Sequence, residues 1–115
     1  LVPDENLHEQ TRDGRRANYG IADVADGKVA SIEEKPLSPK TNLAVTGAYL
    51  YDQSVFEVVE RLKPSWRNEL EITDVNNWFV KAGTMRFSVI GKEWTDAGSI
   101  ETLHRANVLA RSWRK

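Results

Sequence analysis

The runs Tyr19-Gly20-Ile21-Ala22-Asp23-Val24 and Lys28-Val29-Ala30-Ser31-Ile32-Glu33 flank Ala25-Asp26-Gly27. Asp-Gly between two β-prone runs is a strong hairpin signal, because the tightest hairpin turns need positive φ and these two residues adopt it at little cost. The stretch therefore predicts two antiparallel strands and a short turn. Set beside the helical patterns further along the chain, a hairpin argues for a mixed sheet.

Downstream, Pro36 and Pro39 break regular structure, and Lys35 is biased toward extended backbone by the proline after it. Leu43-Ala44-Val45-Thr46-Gly47-Ala48-Tyr49-Leu50-Tyr51 is apolar with little alternation, which predicts a strand covered on both faces. Gly47 inside it suggests a close approach to the backbone. Ser54-x-x-Glu57 is a capping-box pattern before Val55, Val58, Val59 and Leu62 at helical spacing, and Pro64 stops that helix. A second helix is expected from Thr73 or Asp74, with Val75, Trp78, Phe79 and Ala82 inward and Gly83 just past its end. Met85, Phe87 and Val89 alternate as in a strand. Ser99 caps a last helix with Ile100, Leu103, Ala106, Val108 and Leu109 on its apolar side, and Arg111, Arg114 and Lys115 suit its C-terminal dipole. Upstream, residues 1–18 show no apolar period and read as a polar leader or loop, leaving 19–115 as the structured unit. The expected class is α/β, a mixed sheet of four to five strands with about three helices.

At 115 residues the chain fits one domain. Its 40% hydrophobic and 29% charged residues give a globular balance. A net charge of −1 offers nothing to nucleic acid or to an anionic membrane, so neither is an expected partner. No apolar run approaches the ~18 residues of a membrane span. Cysteine is absent, which excludes disulfides, thiolate zinc sites and a cysteine nucleophile, and fits a cytoplasmic location. The chain opens on Leu1 and has no Met before Met85, so a processed or truncated product is expected.

Four segments carry residue types that structure alone does not require: Glu33-Glu34-Lys35-Pro36, Val45-Thr46-Gly47, Arg67-Asn68-Glu69-Leu70-Glu71-Ile72-Thr73-Asp74 and Trp94-Thr95-Asp96-Ala97-Gly98. Each has a plain structural reading, since Glu-Lys pairs sit on solvated strand ends and Asp-Ala-Gly before a helix is a common turn and cap. Their order and spacing from Tyr19 to Leu109 nevertheless resemble the glucose-1-phosphate thymidylyltransferases of the sugar nucleotidyltransferase family. Glu-Leu-Glu-Ile-Thr-Asp is the most specific segment.

The resemblance implies the C-terminal part of a Rossmann-like nucleotidyltransferase (GT-A-like) fold, the sugar-phosphate-binding half, with an N-terminal half missing. By the same resemblance Glu34 takes sugar hydroxyls and Lys35 the phosphate. Gly20 and Val45 set backbone groups against the sugar, Gly47 lies on the same strand, Arg67 holds the phosphate and Trp94 walls the pocket. Lys35 and Arg67 are thus the expected catalytic residues, and Asp96 is one of two carboxylates on Mg²⁺. Implied partners are a sugar-1-phosphate and a nucleoside triphosphate, with a homo-oligomer expected of the full-length parent.

The implied reaction is attack of a sugar-phosphate oxygen on the α-phosphorus of dTTP, giving dTDP-glucose and pyrophosphate. A phosphate monoester has a second pKa of ~6, so this nucleophile is ionised at neutral pH without a general base. The enzyme's task is to bring anions together in line, using cations and a metal. Two departures stand out: the family's Gly-rich Thr-Arg loop is absent, and its usual Arg-Gly and Asp-Thr-Gly are Arg67-Asn68 and Asp96-Ala97-Gly98 here. Other sugar-1-phosphate uridylyl- or guanylyltransferases, and a non-catalytic sugar-phosphate-binding module, remain open alternatives. Trp66, Trp78 and Trp113 read as packing residues, with Trp113 also a candidate interface residue. His8 and His104 read as surface groups.

Overall fold

A computed structural model describes residues 1–3, 15–91 and 94–113. The hairpin forms where the sequence places it. Strands β2 (Ile21–Ala25) and β3 (Lys28–Glu33) pair antiparallel, with Ala25 opposite Lys28. Asp26 and Gly27 between them have φ of 50° and 70°, the doubly positive turn that matches the twist of the flanking strands. The register shifts between Asp23, opposite Ser31, and Val24, opposite Val29, leaving Ala30 as an extra residue. That bulge explains why Val29 and Ile32, three apart, are buried in one cluster, since regular alternation would set them on opposite faces.

Two short strands complete the sheet, β1 (Val2–Pro3) and β4 (Leu43–Ala44), in the order β1-β4-β2-β3. All ladders among the described residues are antiparallel. Four strands and three helices give the expected α/β class. Consecutive residues Ile21 and Ala22 feed separate clusters, one with Val2, Ala17 and Ala44 and one with Val29 and Ile32, as strand alternation requires.

Several local expectations need correction. Val2 and Pro3 belong to the sheet, whereas residues 4–14 of the expected leader, His8 included, lie outside the described residues. The ladder of the expected Leu43–Tyr51 strand ends at Ala44, with one further bond beyond it, from the Val45 N–H to the Gly20 carbonyl. Thr46 is still buried, but Gly47–Leu50 are exposed, Leu50 at 99%. Met85 and Phe87 keep the predicted alternation and pack on the Ala22 cluster, yet residues 84–90 join no ladder; Ile90 N–H donates to the Leu1 carbonyl at 2.8 Å.

Helix α1 (Ser54–Glu60) starts without the Ser-x-x-Glu box. Asp52 does that work, its Oδ1 accepting from the Ser54 N–H at 2.8 Å and from the Ser54 hydroxyl at 2.5 Å. Helix α2 (Ile72–Lys81) ends as predicted, with Gly83 at φ 73° while the Thr84 and Gly83 N–H groups bond back to Phe79 and Val80. Its inner face differs from the expected stripe: Thr73, Val75 and Asn76 are buried, while Trp78 is largely exposed. Each polar group has its own partner: Thr73 donates to Glu34, Asn76 accepts from the Tyr51 hydroxyl at 2.7 Å, and the half-buried Asn77 completes the sheet. Asn77 Oδ1 accepts from the Ile32 N–H at 2.9 Å and its Nδ2 donates to the Ile32 carbonyl at 2.7 Å, replacing a neighbouring strand on the open edge of β3. Helix α3 (Ile100–Ser112) carries the predicted Ser99 cap, reciprocated by Thr102, but none of its described residues is buried and Ile100 is 92% exposed.

Candidate functional site

Strand β2 begins at Ile21 and β3 ends at Glu33, so the residues just outside the ladder, Gly20 and Glu34, meet at the same end of the hairpin. A Cβ on Gly20 would lie 3.2 Å from Glu34 Oε2 and 3.4 Å from Thr73 Oγ1. A side chain at this position would push the Glu34 carboxylate aside by a few tenths of an ångström. The Gly20 carbonyl accepts from the Val45 N–H at 2.8 Å, which brings the β4 end to the same place.

The first turn of α2 reaches this corner from the other side. Thr73, buried, donates its hydroxyl to Glu34 Oε2 at 2.6 Å. Glu34 Oε1 lies 3.8 Å from Arg67 Nη1. Arg67 also meets Glu69 at 2.7 Å and Glu71 at 3.5 Å. Its loop is tight: Ser65 N–H donates to the Glu69 carbonyl at 2.8 Å, and Asn68 N–H to the Ser65 carbonyl at 2.9 Å. The Ser65 hydroxyl donates to Glu71 at 2.8 Å and accepts from Arg67 N–H at 3.1 Å. Asn68 sits at φ 59°, a left-handed position that glycine prefers and asparagine tolerates, which accounts for Arg67-Asn68 where the family commonly has Arg-Gly.

Lys35 follows Glu34 at φ 45°, and its turn is tied down by residues assigned to the leader. Arg16 Nη1 donates to the Lys35 carbonyl at 3.2 Å, Ala17 N–H to the Pro36 carbonyl at 2.9 Å, and the Arg16 guanidinium lies 5.0 Å from the Trp66 ring centre. Trp66, expected in the core, is 75% exposed beneath that cation. Trp94 meets Tyr19 edge to face at 5.4 Å, against the Ile21–Ala44 cluster and one residue from Gly20. Glu34 also acts on Tyr49, whose hydroxyl is pushed above its usual range first by burial and then by that carboxylate.

The structure thus brings together Gly20, Glu34, Val45 and Arg67, with Lys35 adjacent in sequence and Trp94 behind Tyr19. Gly47 stands apart, exposed and with no described atom within 4 Å of a would-be Cβ. Asp96 is also separate among the described residues. Its Oδ1 is buried with no hydrogen-bond partner there, and its Oδ2 lies 3.1 Å from a would-be Cβ on Gly98. A desolvated carboxylate oxygen without a donor suits a cation. No group of three or more metal-ligating side chains occurs among the described residues, so Asp96 offers a single ligand, a number that fits Mg²⁺ bound also by phosphate. Thr73 and Ser65 escaped the sequence reading because their types and positions fit a helix start and a turn; the alternation in Glu69-Leu70-Glu71-Ile72 was the available clue.

A carboxylate held by a buried hydroxyl thus lies beside a guanidinium at the ends of two strands of this α/β protein. The chain belongs to the nucleotidyl transferase family, whose sequence pattern matches residues 7–112. It is 40% identical over 109 residues to a glucose-1-phosphate thymidylyltransferase of Streptomyces griseus, covering 93% of this chain and 30% of that protein. It is 44% identical over 93 residues to the low-salt glycan biosynthesis nucleotidyltransferase Agl11 of Haloferax volcanii, covering 79% of this chain and 26% of the relative. A crystal structure of a Bacillus anthracis protein assigned as a glucose-1-phosphate thymidylyltransferase, in complex with a sucrose, superposes with a TM-score of 0.74 at 41% identity. That match covers 93% of this chain and 48% of the solved one. The chain therefore spans about a third of the length of the curated relatives it matches.

Proposed function

We propose that this chain supplies the acceptor side of a sugar-1-phosphate nucleotidyltransferase, with glucose-1-phosphate as acceptor and dTTP as nucleotide. The observation that carries the proposal is the junction of Glu34 with Arg67, formed from separate segments beside Gly20, whose missing Cβ lets the Glu34 carboxylate pack against its backbone. Glu34 accepts hydroxyl protons from the sugar ring. Thr73 fixes one of its oxygens, so the carboxylate meets the sugar in one orientation. Arg67, as a planar fork, and Lys35, as a point charge, take the sugar phosphate. Its ionised oxygen then attacks the α-phosphorus and pyrophosphate leaves.

Asp96 would hold Mg²⁺, which when bound neutralises phosphate charge. The nucleotide-reading residues, the dTDP-glucose product, a role in polysaccharide precursor synthesis, a homo-oligomeric parent and a cytoplasmic location are parts of the same proposal. They are supported by the thymidylyltransferase relatives and by the nearly neutral net charge of −1 and the cysteine-free composition. No described helix is long and apolar enough to cross a membrane. The test is calorimetric titration with glucose-1-phosphate of the unmodified chain, Arg67→Ala and Lys35→Ala. Weakening in both variants is expected, and undiminished binding in either removes that residue from the site.

A further inference from the structure

Arg67 is the cation of the proposed phosphate site, yet it is already surrounded. Glu34, Glu69 and Glu71 all lie within ion-pair distance, which leaves a local formal surplus of two negative charges before any ligand arrives. The three carboxylates are not equivalent. Glu71 is well buried and accepts from the Ser65 hydroxyl, so it belongs to the loop's frame. Glu34 is fixed by Thr73 and packs against Gly20. Glu69 makes the shortest contact, 2.7 Å to Nη2, but its side chain is 57% exposed. Its backbone is anchored separately, through its carbonyl to Ser65 N–H. The side chain can therefore turn into solvent without disturbing the loop.

We infer that Glu69 acts as an internal stand-in for the ligand phosphate: its carboxylate occupies Arg67 in the free protein and is displaced when the sugar phosphate binds. The inference rests on the sugar-phosphate reading of Arg67. A carboxylate and a phosphate bind a guanidinium through the same planar N–H donors, so the N–H of Nη2 that Glu69 holds is not open to a phosphate oxygen until Glu69 moves. Glu69 keeps Arg67 extended toward the site while empty, and each ligand must break that ion pair. Ion pairs exposed to this degree are individually weak, so the competition costs a small factor in affinity and leaves binding reversible.

Direct occupation is separable from a diffuse charge effect. Glu69→Gln removes the charge. Glu69→Asp keeps the charge but withdraws it by one methylene, out of reach of Arg67. The experiment is calorimetric titration of the chain with glucose-1-phosphate and, separately, inorganic phosphate, at one low ionic strength, with thermal melts showing that each variant is folded. Both variants are expected to bind both ligands about threefold to fivefold more tightly than the unmodified chain. The gain should vanish when Glu69→Gln is combined with Arg67→Ala. Unchanged or weaker binding in Glu69→Gln, Glu69→Asp matching the unmodified chain, or a gain that persists without Arg67 each overturns the inference. Tighter binding by the unmodified chain than by Arg67→Ala, with no gain in Glu69→Gln, overturns the inference alone. Equal or absent binding across the whole set overturns the site reading as well.

Discussion

Asn77→Ala should destabilise the protein far more than its half-buried position suggests. The side chain makes two hydrogen bonds to the backbone of Ile32, at 2.9 and 2.7 Å, where no strand among the described residues pairs with that residue from the outer side. Alanine removes both partners at once. Ile32 is buried, so water reaches its N–H and C=O poorly. Each orphaned group costs about 1–3 kcal/mol, and partial hydration lowers the pair to about 2–4 kcal/mol in total. With a urea m-value of about 2 kcal/mol/M for a chain this size, the unfolding midpoint should fall by about 1–2 M. Asn77→Asp is the informative partner, because a carboxylate accepts from the Ile32 N–H but repels its carbonyl, and it should lose at least as much. A midpoint shift below about 0.3 M for Asn77→Ala would show that Asn77 does not replace a strand. Since Ile32 lies two residues before Glu34, glucose-1-phosphate affinity should fall as well.

Gly20→Ala should separate binding from folding. Its Cβ would crowd Glu34 Oε2 at 3.2 Å, a carboxylate already fixed by Thr73, so glucose-1-phosphate affinity should drop about tenfold. Stability should stay within about 1 kcal/mol, since reduced unfolded-state entropy offsets the crowding, and calorimetry with thermal melts reads both. Tyr49 is raised above 10.0, first by burial, then by Glu34. A raised folded value means its stabilising contribution is present below pH 10 and lost as pH rises through the folded pKa. Glu34→Gln should move tyrosinate absorbance toward lower pH, and an unmoved curve would place the carboxylate elsewhere. Asp52 is held below 3.8 by the Ser54 hydroxyl and then the Ser54 N–H, so its contribution is present above that value and lost as pH falls through the depressed pKa. Asp52→Asn should flatten the acid limb of a melting-temperature profile.

The hairpin was fully legible because its signal is local: Asp-Gly supplies the positive φ and the flanking runs supply the strands. Helix ends marked by Gly83 and Ser99 were legible for the same reason. What failed depended on partners. Leu43–Tyr51 has strand composition, but past Ala44 a single backbone bond, Val45 to Gly20, joins it to the sheet among the described residues. An apolar inner stripe is expected for α2, yet Asn77 answers the open edge of β3 and Asn76 the Tyr51 hydroxyl, which no helical period encodes. The site followed the same division. Gly20, Glu34, Val45 and Arg67 were found as family motifs and converge in space. Thr73 and Glu69 were visible only as a helix start and an alternating acid, because their importance lies in what they touch.

The central claim is that a sugar phosphate binds at the strand-end corner between Gly20, Glu34 and Arg67. An amide and arginine side-chain NMR titration of the chain with glucose-1-phosphate tests it residue by residue. The account predicts saturable shifts at Gly20, Glu34, Val45 and the Arg67 guanidinium, with the amides of α3 unmoved. Shifts confined to α3, or none at Gly20 and Arg67 at saturation, would contradict it.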